Sequence, residues 1–116
     1  MLALQDFVKS LLKRDPLANI IVAGDYNEFS QTRAVFGALD GLLVEADVVA
    51  GVPPVERYTY LFDQNSQQLD HIFVSPALAL RGVKIEHVHI NNWAEARSAR
   101  ASDHDPSVAQ LRLCLF

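Results

Sequence analysis

Apolar positions along this chain fall into distinct periods, and each period predicts an element. Leu2, Leu4, Phe7, Val8, Leu11 and Leu12 recur at the spacing of one helix face, with Lys9, Lys13 and Arg14 towards the end and Asp15-Pro16 as the stop. Ile20, Ile21, Val22 and Ala23 form an unbroken apolar run closed by Gly24, Asp25, Tyr26 and Asn27. Such a run predicts a short strand buried on both faces, from whose end a carboxylate and a carboxamide leave the core together. Ser30 is placed to cap a second helix over Gln31–Leu39, with Val35, Phe36 and Leu39 on its apolar side.

Beyond that point the periods shorten. Asp40–Gly51 carries two apolar clusters, Leu42–Val44 and Val48–Val49, parted by Glu45 and Asp47, and predicts a short helix or loop. Pro53-Pro54 forces an extended connector. Arg57–Phe62 and Gln68–Ser75 are strand-like and Asp63–Gln67 is a polar turn, so a hairpin is expected. Pro76–Leu80 suits one helical turn with proline near its start. Val83, Ile85, His87/Val88 and Ile90 roughly alternate as a strand, Asn91–Pro106 is a long polar loop, and Ser107–Leu115 closes the chain as another strand. The fold class predicted is α/β, with about five strands and two helices. The later strands, with no helix between them, should be mainly antiparallel.

Composition narrows this picture. A length of 116 residues, half of them hydrophobic, gives one domain with a real core. Net charge is −4, without the basic footprint of many nucleic-acid binders. Acidic proteins still bind phosphates where a divalent cation supplies the positive charge. The single cysteine, Cys114, lies in an apolar run and is expected to be a buried thiol, which leaves no disulfide or thiolate metal site within the chain. No apolar run is long enough to span a membrane, and the first residues do not read as a signal peptide.

The candidate chemistry lies in three acid-bearing segments: Gly24–Asn27, Leu69–Ser75 and Ser102–Pro106. Asp70 opens a strand among apolar neighbours, and a carboxylate there needs a partner such as an imidazolium or a metal, or else caps a backbone turn. His104 offers the imidazole: a carboxylate on one ring nitrogen would fix its tautomer and leave the other facing a substrate. Asp103 beside His104 suits magnesium and a phosphate contact better than tetrahedral zinc, and Asp105 is a further ligand or a turn cap. His71 should point away from Asp70, to the surface or the rim of the core. His87 and His89 share one strand face, a weak metal-binding spacing without a third ligand.

The motifs G-D-Y-N, Y-T-Y, L-D-H-I-F-V-S and S-D-H-D-P, in this order and at these separations, resemble the endonuclease/exonuclease/phosphatase family, most closely in wording its bacterial extracellular-nuclease-like members. The resemblance implies a DNase I-like four-layer α/β sandwich, of which this chain would be the C-terminal half: a mixed, mainly antiparallel sheet with helices on one face. It implies metal-dependent phosphodiester hydrolysis with Mg2+ or Mn2+. Asp25 would position or activate the attacking water, Asn27 would hold a phosphate oxygen and His104 would contact the scissile phosphate. Asp70 would orient that histidine, Asp103 would lie near the metal, and Tyr58 and Thr59 would flank the site on the substrate side. Arg97 and Arg100 suit phosphate-backbone contacts or a solvated loop.

Family members are longer and carry upstream a metal-binding Glu and an Asn, so this chain alone is expected to show little activity. The partner implied is nucleic acid or another phosphodiester. The alternatives are a lipid or inositol phosphate phosphatase of the same family, or a non-catalytic interaction module. The resemblance also suggests a secreted or periplasmic parent protein. Half a sandwich would leave one sheet face uncovered, and a homodimer packing sheet on sheet is the expected remedy.

Overall fold

The computed structural model describes residues 2–26, 36–62 and 65–114. Asn27, the Ser30 cap, the first half of the helix expected over Gln31–Leu39, the turn residues Asp63 and Gln64, and Leu115 lie outside them. Helix α1 spans Leu2–Arg14 and buries Val8, with Leu4, Leu11 and Leu12 partly covered. It stops at Asp15, whose carboxylate accepts from the Leu17 amide while proline follows. Strand β1 is Ile21–Asp25. A single 3-10 turn, Phe36–Leu39, stands where the second helix was expected to end.

Strand β2 (Val44–Glu45) runs directly into helix α2 (Ala46–Ala50), which Gly51 closes at φ 70°. The strands β3 (Tyr60–Phe62), β4 (Asn65–Gln67) and β5 (Asp70–Val74) follow. Helix α3 is Pro76–Arg81, entered through Ser75 with proline in its first turn, where the missing N–H costs nothing. Strand β6 (Val83–His87) pairs with the last strand, β7 (Ser107–Leu111).

Every pairing is antiparallel: β1-β5-β2 in one sheet, β3 with β4, and β6 with β7. The expected hairpin is therefore shifted. Asn65–Gln67, read as turn, is the strand that pairs with Tyr60–Phe62, whereas β5 leaves to sit between β1 and β2. Seven strands and three α-helices stand among the described residues, more than the five and two expected. The additional strands β2 and β4 are only two and three residues long, too short to show a period.

Two apolar clusters hold these pieces together. Val8, Ile20, Phe36, Leu39, Leu43 and Phe73 join α1 and the 3-10 turn to one face of the first sheet. Ala46, Val74, Leu78 and Val83 join its other face to α2, α3 and β6, with Ile72, Ile85 and Leu111 packed alongside.

Three expectations about burial are corrected. Strand β1 is not buried on both faces: only Val22 is half-covered, and Ile21 is 49% exposed. It pairs on one edge alone among the described residues, and α1 covers a single face. Cys114 is exposed, because β7 ends at Leu111. His71 points away from Asp70 as expected but is buried, its Nδ1 2.8 Å from Glu45 Oε1.

Candidate functional site

Register brings the first two acids together. Asp25, the last residue of β1, stands directly opposite Asp70, the first residue of β5. Like charges facing across a ladder destabilise a sheet, so this placement calls for a positive group between them. His104 provides it. Its Nδ1 lies 2.7 Å from Asp70 Oδ2, and its Nε2 lies 3.9 Å from Asp25 Oδ2. All three side chains are partly open to solvent.

Burial by itself disfavours the His104 charge, but it is outweighed by the hydrogen bond to Asp70 and by the charges of Asp70, Asp25 and Asp103. The imidazole pKa is therefore raised above its ordinary value of 6.5. With Asp70 fixing Nδ1, the ring presents Nε2 towards Asp25 and solvent.

The backbone beneath these groups is held from several sides. Thr59 is fully buried, and its hydroxyl accepts from the amides of both Leu69 and Asp70 at 3.3 Å, which sets the start of β5. The Thr59 carbonyl takes the Asp105 amide at 2.7 Å, and Tyr60 forms an isolated antiparallel bridge with His104. Strand β3 and the loop carrying His104 are thereby tied to the same residue that positions Asp70.

Asp105 is the anchor of that loop. Its buried carboxylate accepts from the amides of Asn91 and Asn92, each at 3.0 Å, from the Asn92 side chain, and from His89 Nδ1 at 3.1 Å. Burial would raise its pKa, but these donors, led by Asn92, prevail and hold it below 3.8. Asn91 completes the frame: its Nδ2 donates to the His104 carbonyl at 2.7 Å, and its Oδ1 accepts from the Ala101 amide.

The expected site residues divide accordingly. Asp25, Asp70 and His104 converge; Asn27 lies outside the described residues. Asp103 is exposed beside His104 and acts on it through its charge, but it is not among the three groups that converge. Thr59 is sealed from solvent and so positions rather than contacts. The Tyr58 ring stacks on His89 at 3.8 Å, and its hydroxyl accepts from Trp93 Nε1 at 2.6 Å. Arg97 opens a short 3-10 turn and Arg100 follows its end, Arg97 exposed and Arg100 partly so. His87 and His89 do not share a metal site: β6 ends at His87, whose ring bridges Ser107 and Asp47, while His89 turns to Asp105.

Asn91 and Asn92 were not singled out by sequence, and Tyr60 only as the last residue of the Y-T-Y motif. Adjacent asparagines in a polar loop signal a turn, but nothing local names an acceptor more than a dozen residues away.

The convergent ligand atoms, two carboxylate oxygens and one imidazole nitrogen, lie within 4.8 Å of one another. Hard oxygen donors dominate this set, which fits a cation that prefers oxygen.

Comparison with known proteins bears on the family and the fold. Two UPF0294 proteins from Vibrio cholerae serotype O1 strains are each 33% identical to the chain over 100 residues, covering 86% of it. The chain spans 30% of the length of those relatives. Among solved structures, a truncated Caenorhabditis elegans TDP2 superposes with a TM-score of 0.63 at 18% identity, over 90% of this chain and 43% of that one. An endonuclease/exonuclease/phosphatase family protein from Bacteroides thetaiotaomicron gives 0.60 at 26% identity, over 92% and 42%. The mixed α/β fold with antiparallel sheets matches these neighbours. The sequence profile of the Endonuclease/Exonuclease/phosphatase family matches residues 2–104, from α1 through His104, and the chain belongs to that family.

Proposed function

We propose that Asp25, Asp70 and His104 are one wall of a centre that hydrolyses phosphodiester bonds with the help of Mg2+ or Mn2+. The observation that carries the reading is the pair of carboxylates opposed in register with the His104 imidazole between them. Asp25 and the Asp70 oxygen not engaged by His104 are the residues that would hold the cation, with Asp103 close by. When bound, the cation supplies positive charge that offsets the charge developing on the phosphoryl group.

The chain's own groups do the rest. Asp70 holds Nδ1–H of His104, so a protonated ring donates from Nε2 to a phosphoryl oxygen. Asp25, the more exposed acid, orients a water for in-line attack and takes its proton. Asn27 belongs to this proposal as a donor to phosphate, Tyr58 as an outer wall, and Arg97 and Arg100 as contacts to the phosphate backbone.

Residues 1–116 are proposed as the C-terminal half of the family's domain, weakly active alone because Asp25 and Asp70, with Asp103 close by, fill only part of a cation's shell. Plasmid DNA with Mg2+ or Mn2+ should be nicked at most slowly by this chain. An added upstream half-domain should restore cleavage, and His104→Ala should lower the restored rate by about 10²–10⁴-fold. Restored cleavage that survives His104→Ala would overturn the assignment, and fast His104-dependent cleavage by the chain alone would overturn its weakness. The one-sided pairing of β1 and the exposure of Ile21 further support association with a second copy across that sheet.

A further inference from the structure

Beside the acidic cluster stands a pair of aromatic rings with no part in the chemistry above. Tyr60 and Phe62 are two residues apart on β3, so both side chains rise from the same face of the strand. Their rings are stacked within 7° of parallel, with centroids 6.3 Å apart. Tyr60 also lies against His104, ring centroids 5.1 Å apart, and bridges to it through the backbone. Phe62 is 62% exposed. A lone exposed phenylalanine needs no explanation, but a parallel pair that begins at the phosphate-facing histidine does.

The spacing selects an occupant. Stacked bases follow one another at about 3.4 Å, so the rings on either side of an inserted base stand about 6.8 Å apart. Side chains two apart on a strand are spaced by about 6.6 Å, which sets the two rings near that separation before any ligand arrives. A saturated ring such as inositol has no π-face for such a clamp, whereas every nucleobase has one. A base at Tyr60 would belong to the nucleotide whose phosphate meets His104.

We propose that Tyr60 and Phe62 form a nucleobase clamp beside the hydrolytic cluster, which makes the substrate class an unpaired nucleotide within nucleic acid. Only the placement of the phosphate rests on the phosphodiester reading; the clamp stands on the ring geometry.

The test uses the 116-residue chain, 2-aminopurine deoxynucleoside and its 5′-monophosphate, whose fluorescence is quenched on stacking. Both should be quenched on titration with protein. Phe62→Ala should weaken binding about tenfold or more, and Phe62→Trp should restore it. Deoxyribose 5-phosphate, which lacks the base, should compete about tenfold or more weakly than the monophosphate. Absence of quenching, equal quenching by Phe62→Ala, or equal competition by the base-free sugar phosphate would each overturn the clamp. Because the nucleoside carries no phosphate, quenching retained while the chain supplemented with the upstream half-domain still fails to cleave DNA would fault the phosphodiester reading alone. Hydrolysis retained without quenching would fault the clamp alone.

Discussion

Asp105 and Thr59 show how single side chains can hold a site they do not enter. The Asp105 carboxylate is satisfied by two amides, an asparagine side chain and an imidazole, so its folded-state pKa lies below 3.8. A depressed acid stabilises the fold fully above its unfolded pKa, and that stability is lost as pH falls through the folded value. Denaturant midpoints should therefore drop as pH is lowered below about 4, and Asp105→Asn should flatten that part of the curve. Thr59→Val keeps the shape but removes the acceptor for two amides, one of them Asp70's. Its expected cost is about 1–3 kcal/mol in urea denaturation. Asp25, Asp70 and His104 were legible in sequence because acids and an imidazole at the ends of apolar runs are chemically conspicuous. Thr59 was legible as a neighbour only, since a hydroxyl that binds amides on another strand leaves no local pattern.

Elements with a clear period were read correctly in kind, and their partners were not. Helices α1 and α3 and strands β6 and β7 begin where period and punctuation put them, though β6 and β7 end at His87 and Leu111, short of the bounds expected. Strand β1 was read as buried on both faces because four apolar residues in a row look the same whether or not a neighbour covers them. Strand β2 was missed because Glu45 and Asp47 interrupt the apolar run. Those acids are buried in pairs instead: Glu45 with His71, and Asp47 with both His87 and the Gln68 side chain. With Ser107 on the far side of His87, this polar seam ties α2 to β6, β7 and the segment before β5. Asp47→Ala should leave the buried His87 Nε2 without its acceptor, at about 1–3 kcal/mol. Thermal or urea denaturation should show a large loss, with Asp47→Asn recovering part of it.

Across the molecule, one face and one edge of β1 remain open among the described residues. An open strand edge with apolar side chains beside it recruits another strand. Light scattering on the purified chain is expected to give twice the 12.9 kDa mass, falling to the monomer on dilution or with Ile21→Lys. A concentration-independent monomer would rule the second copy out. No helix among the described residues is long and apolar enough to cross a membrane.

The loop ahead of His104 leaves and returns through Asn91, which bonds the Ala101 amide and the His104 carbonyl while its own amide is fixed on Asp105. Residues 94–100, beyond the Trp93 bond to Tyr58, are thus a closed excursion from a fastened base. Such an excursion can lengthen, shorten or change its sequence without disturbing the imidazole behind it. Variation there changes what this surface touches, Arg97 and Arg100 included, so natural drift or deliberate grafting can retarget the protein while Asp25, Asp70 and His104 stay in place.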